Sequence, residues 1–320
     1  MKKIQIRVGL TVLILALLLV PARAATLLVP VGRTIGLRLK TQGVTVADFQ
    51  KEGASPGRDA GLQLGDAICK VGDREIGSAQ ELQQALADSG GAAELTIRRK
   101  GQERRLQVAL EPGKSQLGIY VREGISGIGT VTYYDPETGR FGALGHGVND
   151  SDGNLVEMEG GQALSSQVVE VKRGQAGTPG QLRGAFSDGD QIGELTANTG
   201  RGLFGTCTKP FLGEPMPAAE AGSVHTGKAE ILSNVSGTSV RRYDVEILKL
   251  YPEDRAQGRN ILLRVTDEDL IAQTGGIVQG MSGSPILQDG RLVGAVTHVL
   301  VNDPKTGYGI FIENMLDAAA

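Results

Sequence analysis

The stretch "GIVQGMSGSP" at residues 276–285 has the composition of a loop that presents a nucleophilic serine. A serine hydroxyl attacks a carbonyl group when it lies on a sharp exposed turn, beside backbone N–H groups and within reach of a base. Ser282 fits locally, because the Gly280 N–H can lie beside the Ser282 N–H in an oxyanion hole and Gly283 leaves space after the nucleophile. A Gly-Ser turn between two strands explains the same residues. An α/β-hydrolase elbow does not, since it needs glycine where Ser284 stands.

The chain has three histidines that could act as the general base. His146 lies in "FGALGHGVND", where its two glycine neighbours allow a backbone or a substrate to approach the ring closely. His298 follows Thr297 in the apolar strand "GAVTHVLV" and could line the site, whereas His225 has a structural role as the simplest explanation. His146 is therefore the candidate base for Ser282.

Spacing alone does not identify the carboxylate that would orient the imidazole. Asp267 lies 15 positions before the candidate nucleophile, Asp244 lies in the strand-like "RRYDVEI", and Asp269 is close enough to Asp267 to confuse a mutant. The stretch "TDEDLIAQTGG" also predicts a short helix, opened by Asp267 or the threonine before it and closed by Gly275. In that case Asp267 is a helix cap.

Composition predicts a mainly β protein of two domains. The chain has 320 residues, of which 47 are glycine and none is tryptophan, and short Val/Ile/Leu runs alternate with turn residues. A formal net charge of −3 does not favour nucleic acid or an anionic membrane surface as the main partner. From Leu117 onward, strand-like pieces separated by turns at 135–139 and 302–307 fit an antiparallel barrel or sandwich.

The first third of the chain has a different pattern. "GVTVADF" and "DAICKVG" read as strands, residues 78–88 as a helix, and "AELTIRR" with "ERRLQVAL" as a hairpin that turns at Gly101. Ser78 and Glu81 have the spacing of a helix capping box. The stretch "EPGKSQ" at 111–116 is a plausible linker to the second domain.

The N-terminal residues have the features of an export signal. Three basic residues precede an apolar run of 13 residues, and Ala22-Arg23-Ala24 has the form of a cleavage site. We expect export across the cytoplasmic membrane, with residues 1–24 as a signal peptide or an N-terminal anchor.

The cysteines and histidines do not suggest a metal site or a cofactor. Cys69 and Cys207 are the two cysteines, and they are either small buried residues or an interdomain disulfide. A structural zinc site needs more ligands than these cysteines and the scattered histidines readily supply. We expect neither a metal nor a cofactor.

The stretch "SPGRDAGLQLGDAICKVGDREIGSAQEL" resembles a PDZ domain of bacterial periplasmic proteases, and the resemblance covers about residues 34–112. It implies a small α+β domain that adds a peptide ligand to a sheet edge and holds its terminal carboxylate on backbone N–H groups. The corresponding loop should include Ile35, Gly36 and Leu37. A PDZ-like domain that only packs against its neighbour is the alternative.

The "GMSGSP" loop is similar to the Gly-x-Ser-Gly-x-Pro loop of chymotrypsin-like serine proteases, and "RLVGAVTH" is similar to their substrate-pairing strand. Thr297 and His298 are therefore expected to contact substrate. Together with "FGALGHG", "VTDEDLIAQTGGIVQGMSGSPI" and the PDZ segment, these motifs resemble the stage IV sporulation protein B peptidase family over nearly the whole chain. The implied fold is a PDZ domain with an N-terminal extension at 25–112, followed by a chymotrypsin-like antiparallel β-barrel peptidase domain at 113–320.

The resemblance implies a signalling serine endopeptidase of endospore-forming bacteria, secreted from the forespore into its intermembrane space, with transient membrane anchoring. Such a protease cleaves itself near its N-terminus and cleaves a membrane-bound regulator, so that an intramembrane protease matures a sigma factor. By motif, Ser282 is the nucleophile, His146 the base, Asp267 the orienting carboxylate, and the Gly280 and Ser282 N–H groups the oxyanion hole. A non-catalytic exported scaffold that binds partners through its PDZ domain is the alternative.

Overall fold

The computed structural model describes residues 26–110, 113, 115–150, 153–254 and 258–319. The predicted export segment at residues 1–24 and parts of the predicted linker at 111–116 lie outside the described residues. Within these ranges, none of the helices has both the length and the apolar character needed to cross a membrane.

Strands dominate the described ranges, as composition predicted, and four short α-helices accompany them. The strands are β1 (Leu27–Pro30), β2 (Thr34–Phe49), β3 (Ala67–Val71), β4 (Arg74–Glu75), β5 (Ala92–Arg99), β6 (Gln102–Ala109), β7 (Ile119–Tyr134), β8 (Arg140–Ala143), β9 (Met158–Ser165), β10 (Gln167–Lys172), β11 (Gln181–Ala185), β12 (Gln191–Thr199), β13 (Gly202–Cys207), β14 (Met216–Pro217), β15 (Gly227–Ser236), β16 (Ser239–Leu250), β17 (Ile261–Val265), β18 (Pro285–Gln288), β19 (Arg291–Leu300) and β20 (Asp303–Phe311). The helices are α1 (Pro56–Asp59), α2 (Ala79–Asp88), α3 (Glu268–Thr274) and α4 (Ile312–Ala319).

Six antiparallel strands close into a first barrel. Strand β2 pairs with β9 on one side and with β7 on the other, and β8, β13 and β12 complete the ring. Closure leaves these strands without an open edge, which buries one face of each against the interior. The interior is aliphatic and aromatic, with buried side chains that include Ile35, Leu37, Val131, Phe141 and Leu203.

A second six-stranded barrel follows in the chain, in the spatial order β15, β16, β17, β20, β19 and β18. Buried side chains such as Ile231, Val245 and Phe311 fill it. Between the barrels, Leu28 of β1 packs with Leu292 and other side chains of the second barrel. Two antiparallel barrels in this order form the chymotrypsin-like fold, so the predicted fold class is confirmed.

The PDZ part consists of strands β3 to β6 and helices α1 and α2, with the last residues of β2 and the first residues of β7. The predicted helix and hairpin are confirmed, since α2 begins after Ser78, whose side chain accepts from the Glu81 N–H at 3.1 Å, and β5 pairs with β6. Apolar residues of the helix pack on those of the sheet to form a separate core.

Strands β2 and β7 each belong to both the first barrel and the PDZ part. Leu39 lies opposite Ile125 in the barrel, and pairing resumes with Val44 opposite Glu123 in the PDZ part. Gly124 between the two regions has a φ of +67° and passes against the Leu39 carbonyl group, where a side chain would not fit. The PDZ part therefore continues two strands of the peptidase barrel.

Two expectations are corrected by the fold, and one alternative is excluded. Ile35, Gly36 and Leu37 do not form a carboxylate-binding loop, because they lie within β2 with strands paired on both sides, so no edge is free there for a peptide. The turn expected at 302–307 is shorter, since β20 already begins at Asp303. Cys69 and Cys207 are both free thiols, which excludes the interdomain disulfide.

Candidate active site

The Ser282 loop has the backbone shape that a nucleophile turn requires. Gly280 and Gly283 have φ angles of +99° and +97°, values that residues with a side chain rarely adopt. A Cβ atom on Gly283 would also collide with the backbone of Thr130 and Leu144 from the first barrel. Both glycines are therefore required by the turn and by the close approach of the two barrels.

Two N–H groups in the loop remain available. Within the described part of the chain, neither the Gly280 N–H nor the Ser282 N–H donates to any acceptor. The N–H groups between and after them all have acceptors. The Met281 N–H donates to the Val278 carbonyl at 3.1 Å, the Gly283 N–H to the Val296 carbonyl at 2.7 Å, and the Ser284 N–H to the Met281 carbonyl at 2.9 Å. This selective lack of partners is the property of an oxyanion hole, which the sequence predicted at Gly280 and Ser282.

Strand β7 of the first barrel holds the nucleophile loop of the second. The Thr130 N–H donates to the Ser282 carbonyl at 3.0 Å, and the Thr130 hydroxyl donates to the Gly280 carbonyl at 2.8 Å. The Thr132 hydroxyl donates to the Gly283 carbonyl at 2.8 Å. Sequence analysis missed both threonines, because nothing in "GTVTYY" indicates which distant loop its hydroxyl groups contact.

His146 follows β8 through two residues with positive φ, Leu144 and Gly145, both at 70°. A Cβ atom on Gly145 would lie 2.9 Å from the Thr297 side chain, so glycine lets the histidine loop approach the second barrel. The ring Nδ1 is 2.8 Å from the Gly147 carbonyl oxygen. A carbonyl only accepts, so Nδ1 carries the proton of the neutral ring and Nε2 keeps its lone pair for a base.

Burial keeps this imidazole neutral. Desolvation lowers the pKa of His146 below its usual 6.5, and the hydrogen bond to the Gly147 carbonyl opposes this effect in part. The His298 ring lies 5.1 Å away, centroid to centroid. Part of the His298 side chain is exposed. Its pKa is nevertheless lowered to about 4, by desolvation first, then by repulsion from the protonated form of His146, then by the charge on Arg259. Both rings are uncharged at neutral pH.

Ser282, His146, His298 and Gly280 line one cavity of about 670 Å³ between the barrels. The predicted nucleophile, base and oxyanion donors therefore meet in one place. In this structure the Ser282 hydroxyl donates to the Thr297 carbonyl at 2.8 Å. An attack on substrate requires the hydroxyl to exchange this acceptor for Nε2 of His146, an adjustment common when catalytic hydrogen bonds form only with substrate bound.

Asp267 does not lie beside the imidazole. One of its carboxylate oxygens accepts from the Leu270 N–H at 2.8 Å, which caps α3, and the other accepts from the Asp244 N–H at 3.4 Å. Neither aspartate lines the cavity, and Asp269 pairs with Arg241 at 3.3 Å. The cap is the structural alternative recognised in the sequence. The group in contact with Nδ1 of His146 is the Gly147 carbonyl. Sequence analysis could not identify it, because every residue has a backbone carbonyl.

The edge of β19 beyond Thr297 borders the cavity. His298 and Val299 pair with β20 on one side, and in the described part of the chain no strand pairs with their other edge. Both residues line the cavity beside Ser282. An extended substrate can add to this edge by backbone hydrogen bonds, which is the arrangement expected from Thr297 and His298.

The remaining histidine lies elsewhere, on the surface. Nε2 of His225 is 2.8 Å from an Asp289 carboxylate oxygen, outside the cavity that contains Ser282. Among the described residues, no group of three or more His, Cys, Asp or Glu side chains is placed to hold a metal ion.

The PDZ part has its free sheet edge on β7, at residues 119–123. Only β2 pairs with this segment among the described strands. Helix α2 begins across from it, where the Ala79 N–H donates to the Glu123 carboxylate at 2.7 Å. Gly118, with a φ of +68°, forms the turn just before the strand. Sequence analysis missed this edge, although "LGIYV" at 117–121 has a glycine directly before the apolar residues of a strand.

Comparison with known proteins supports these observations. Residues 113–316 match the family model described as SpoIVB peptidase S55, and residues 34–110 match the PDZ domain model. No curated protein matches the chain.

The solved structures similar to the chain include two forms of one protease. The crystal structure of Rv3671c protease in its inactive form is 14% identical with a TM-score of 0.35, over 61% of this chain and 85% of that chain. The active form of the same protease, from M. tuberculosis, is 15% identical with a TM-score of 0.34, over 62% of this chain and 73% of that chain. The family match spans more than half of the sequence, so this chain belongs to the SpoIVB peptidase S55 family and is a serine endopeptidase with a PDZ domain.

Proposed function

We propose that this endopeptidase cleaves substrate through Ser282 and His146 without a carboxylate in contact with the imidazole. The observation that carries the proposal is the meeting of Ser282, the half-buried neutral His146 and two unpaired N–H groups in one cavity. A scaffold would have no need for unpaired donors beside a serine hydroxyl.

The reaction follows from this geometry. Nε2 of His146 removes the Ser282 hydroxyl proton as Oγ bonds to the substrate carbonyl carbon, and the N–H groups of Gly280 and Ser282 stabilise the oxyanion. The imidazolium then gives its proton to the leaving amine, the C–N bond breaks, and an acyl-enzyme forms. Water, deprotonated by His146, attacks the acyl carbonyl carbon and releases the acid, and the proton returns to Ser282 Oγ. The Gly147 carbonyl holds Nδ1–H throughout.

The substrates are proposed from the family. They are the chain itself, near its N-terminus, and a membrane-bound regulator of an intramembrane protease in the sporulation pathway that leads to sigma factor activation. The proposed location is the forespore intermembrane space after export across the cytoplasmic membrane, with transient anchoring by the N-terminal segment. The basic and apolar residues at 1–24 support this location.

The PDZ part is proposed to recruit a peptide at the edge of β7. An extended segment can add to residues 119–123 and lie between this strand and α2, and Ile119 and Val121 are half-buried there against the PDZ core. The turn at Gly118 precedes the strand, and within the described part of the chain the Gly118 N–H has no acceptor. This N–H could receive a terminal carboxylate.

The first test is N-terminal sequencing and mass determination of the exported protein, as wild type and as Ser282→Ala, without other sporulation proteins. Trimming beyond Ala24 in the wild type alone would support self-cleavage through Ser282. Identical products would contradict it.

A second test is labelling with a fluorophosphonate. We expect rapid labelling of the wild type and none of Ser282→Ala. Ser284→Ala is the matched control, because the Ser284 hydroxyl is buried against Ser233 at 3.1 Å and faces away from the cavity. Failure of the wild type to label would favour the non-catalytic scaffold.

A further inference from the structure

The cavity beside Ser282 offers no charged partner to a substrate side chain. No Asp, Glu, Lys or Arg among the described residues lines it, and its two histidines are neutral at neutral pH. Aliphatic side chains from both barrels form much of the lining, including Ile128, Ile277, Val278 and Val299. A charged substrate side chain would lose its hydration here without gaining an ion pair.

The oxyanion hole and the β19 edge fix where the substrate side chain goes. When the scissile carbonyl accepts from the Gly280 and Ser282 N–H groups, the chain before it runs beside His298 and Val299. The side chain of the residue that supplies this carbonyl is then directed between two walls, namely β19 and the segment 277–279. The depth of the space between these walls decides which side chains fit.

Ile277 lines the part of that space next to β20. Its N–H donates to the Pro304 carbonyl at 2.7 Å, which fixes the segment against β20, and the residue is only 3% exposed. Its Cδ1 atom lies against Gly307, where a Cβ atom would come within 2.6 Å of it. The same Cβ atom would come within 2.5 Å of the His298 carbonyl oxygen, because Gly307 pairs with β19 at Val299. The Ile277 side chain therefore takes up the room beside Gly307 at one end of the space between the walls.

We infer that Ile277 sets the primary specificity of the peptidase and that the enzyme cleaves after small uncharged residues such as alanine. The inference rests on the proposed chemistry at Ser282. Leucine, phenylalanine and charged side chains are excluded by the Ile277 side chain or by the uncharged lining. Since one methylene group in such a pocket changes kcat/KM by about 10-fold or more, removal of a single Ile277 methyl group should be measurable.

The test uses a library of proteome-derived peptides, digested with the purified enzyme and read by mass spectrometry for the residue before each cut. We expect the wild type to cut mainly after alanine and other small residues. In Ile277→Val, which removes only the Cδ1 atom, the ratio of cuts after leucine to cuts after alanine should rise about 10-fold. Ile277→Ala should extend cleavage to phenylalanine.

Ile247→Val and Ile247→Ala are the matched controls. Ile247 belongs to the same buried core and is 1% exposed, but it does not line the cavity. These variants should lose comparable stability and keep the wild-type preference. Because the valine variants remove one methyl group, they remain informative if an alanine variant does not fold.

Three results would count against the inference. Wild-type cleavage mainly after large or charged residues would overturn it, while the serine-peptidase proposal would stand. An unchanged preference in the folded Ile277 variants would also overturn it. Absence of both cleavage and fluorophosphonate labelling in the wild type would overturn the inference together with the proposed function.

Discussion

Thr130 joins the two barrels at the nucleophile, since its N–H donates to the Ser282 carbonyl at 3.0 Å. The Thr130 hydroxyl holds the Gly280 carbonyl in the same loop at 2.8 Å. One residue of the first barrel thus holds the Gly280 and Ser282 carbonyl groups. These two groups flank the Met281–Ser282 peptide group, which carries the Ser282 N–H. The orientation of the oxyanion donors depends on this support.

Replacement of the Thr130 hydroxyl should reduce the rate of catalysis more than substrate binding. Thr130→Val keeps the shape and the N–H but loses the bond to Gly280, so we expect kcat to fall about 10-fold with a small change in KM. Thr130→Ser restores a donor and should recover most of the activity. Steady-state kinetics on a cleaved peptide would measure both. Wild-type kcat in Thr130→Val together with a reduced kcat in Thr130→Ser would show that the methyl group, not the hydroxyl, matters.

Asp267 should tolerate replacement by asparagine. Asparagine can still cap α3, so Asp267→Asn should keep activity within a few fold, whereas Asp267→Ala should lower stability by about 1 kcal/mol. Because α3 leads directly into the segment before Ser282, the alanine variant should also lose some activity. Thermal melts and kcat/KM of the two variants would check this. A fall of about 10⁴-fold in Asp267→Asn would instead assign the carboxylate to the imidazole.

The pH profile of kcat/KM should have its acid limb below pH 6.5. Catalysis requires neutral His146, and burial lowers its pKa, so the neutral form persists to lower pH than for a free imidazole. Activity at pH 6.5 should therefore exceed half of its value at pH 7.5. Initial rates at constant ionic strength would give the profile. A half-maximal rate at or above pH 6.5 would contradict neutralisation by burial.

Leu28 should be essential for stability. It is fully buried and packs with Leu287 and Leu292 between the barrels. Leu28→Ala should lower the free energy of unfolding by about 3 kcal/mol. Denaturant unfolding would measure the loss, and Leu27→Ala is the control because that side chain is 49% exposed. A loss below about 1 kcal/mol would show that β1 contributes little to the fold.

Features that depend on neighbouring residues could be predicted from the sequence. The Ser282 turn, the glycine-flanked His146 and the capped helix α2 are each specified within about ten residues by glycine, capping and apolar spacing. The predominance of strands followed from composition and from the short apolar runs between turn residues, although several strands were not recognised. These features were found where the motifs placed them.

Features that depend on distant pairing could not be predicted in this way. The loop expected at Ile35 to Leu37 is a strand because β7 and β9, far along the chain, pair with both of its edges. The partner of the His146 ring is a carbonyl group, which every residue has, and so residue types alone do not reveal it. The supporting hydroxyl groups of Thr130 and Thr132 are recognisable only when the barrels meet.

The pairing of Leu39 with Ile125 has a consequence for the origin and the engineering of the molecule. These two residues face each other across antiparallel strands, so a two-residue turn could connect them directly. All of the PDZ part lies between them in sequence, as an insertion at the tip of a hairpin that is complete without it. At such a site the PDZ part can be removed, or replaced by a domain with another specificity, without a change in the connectivity of the barrel strands.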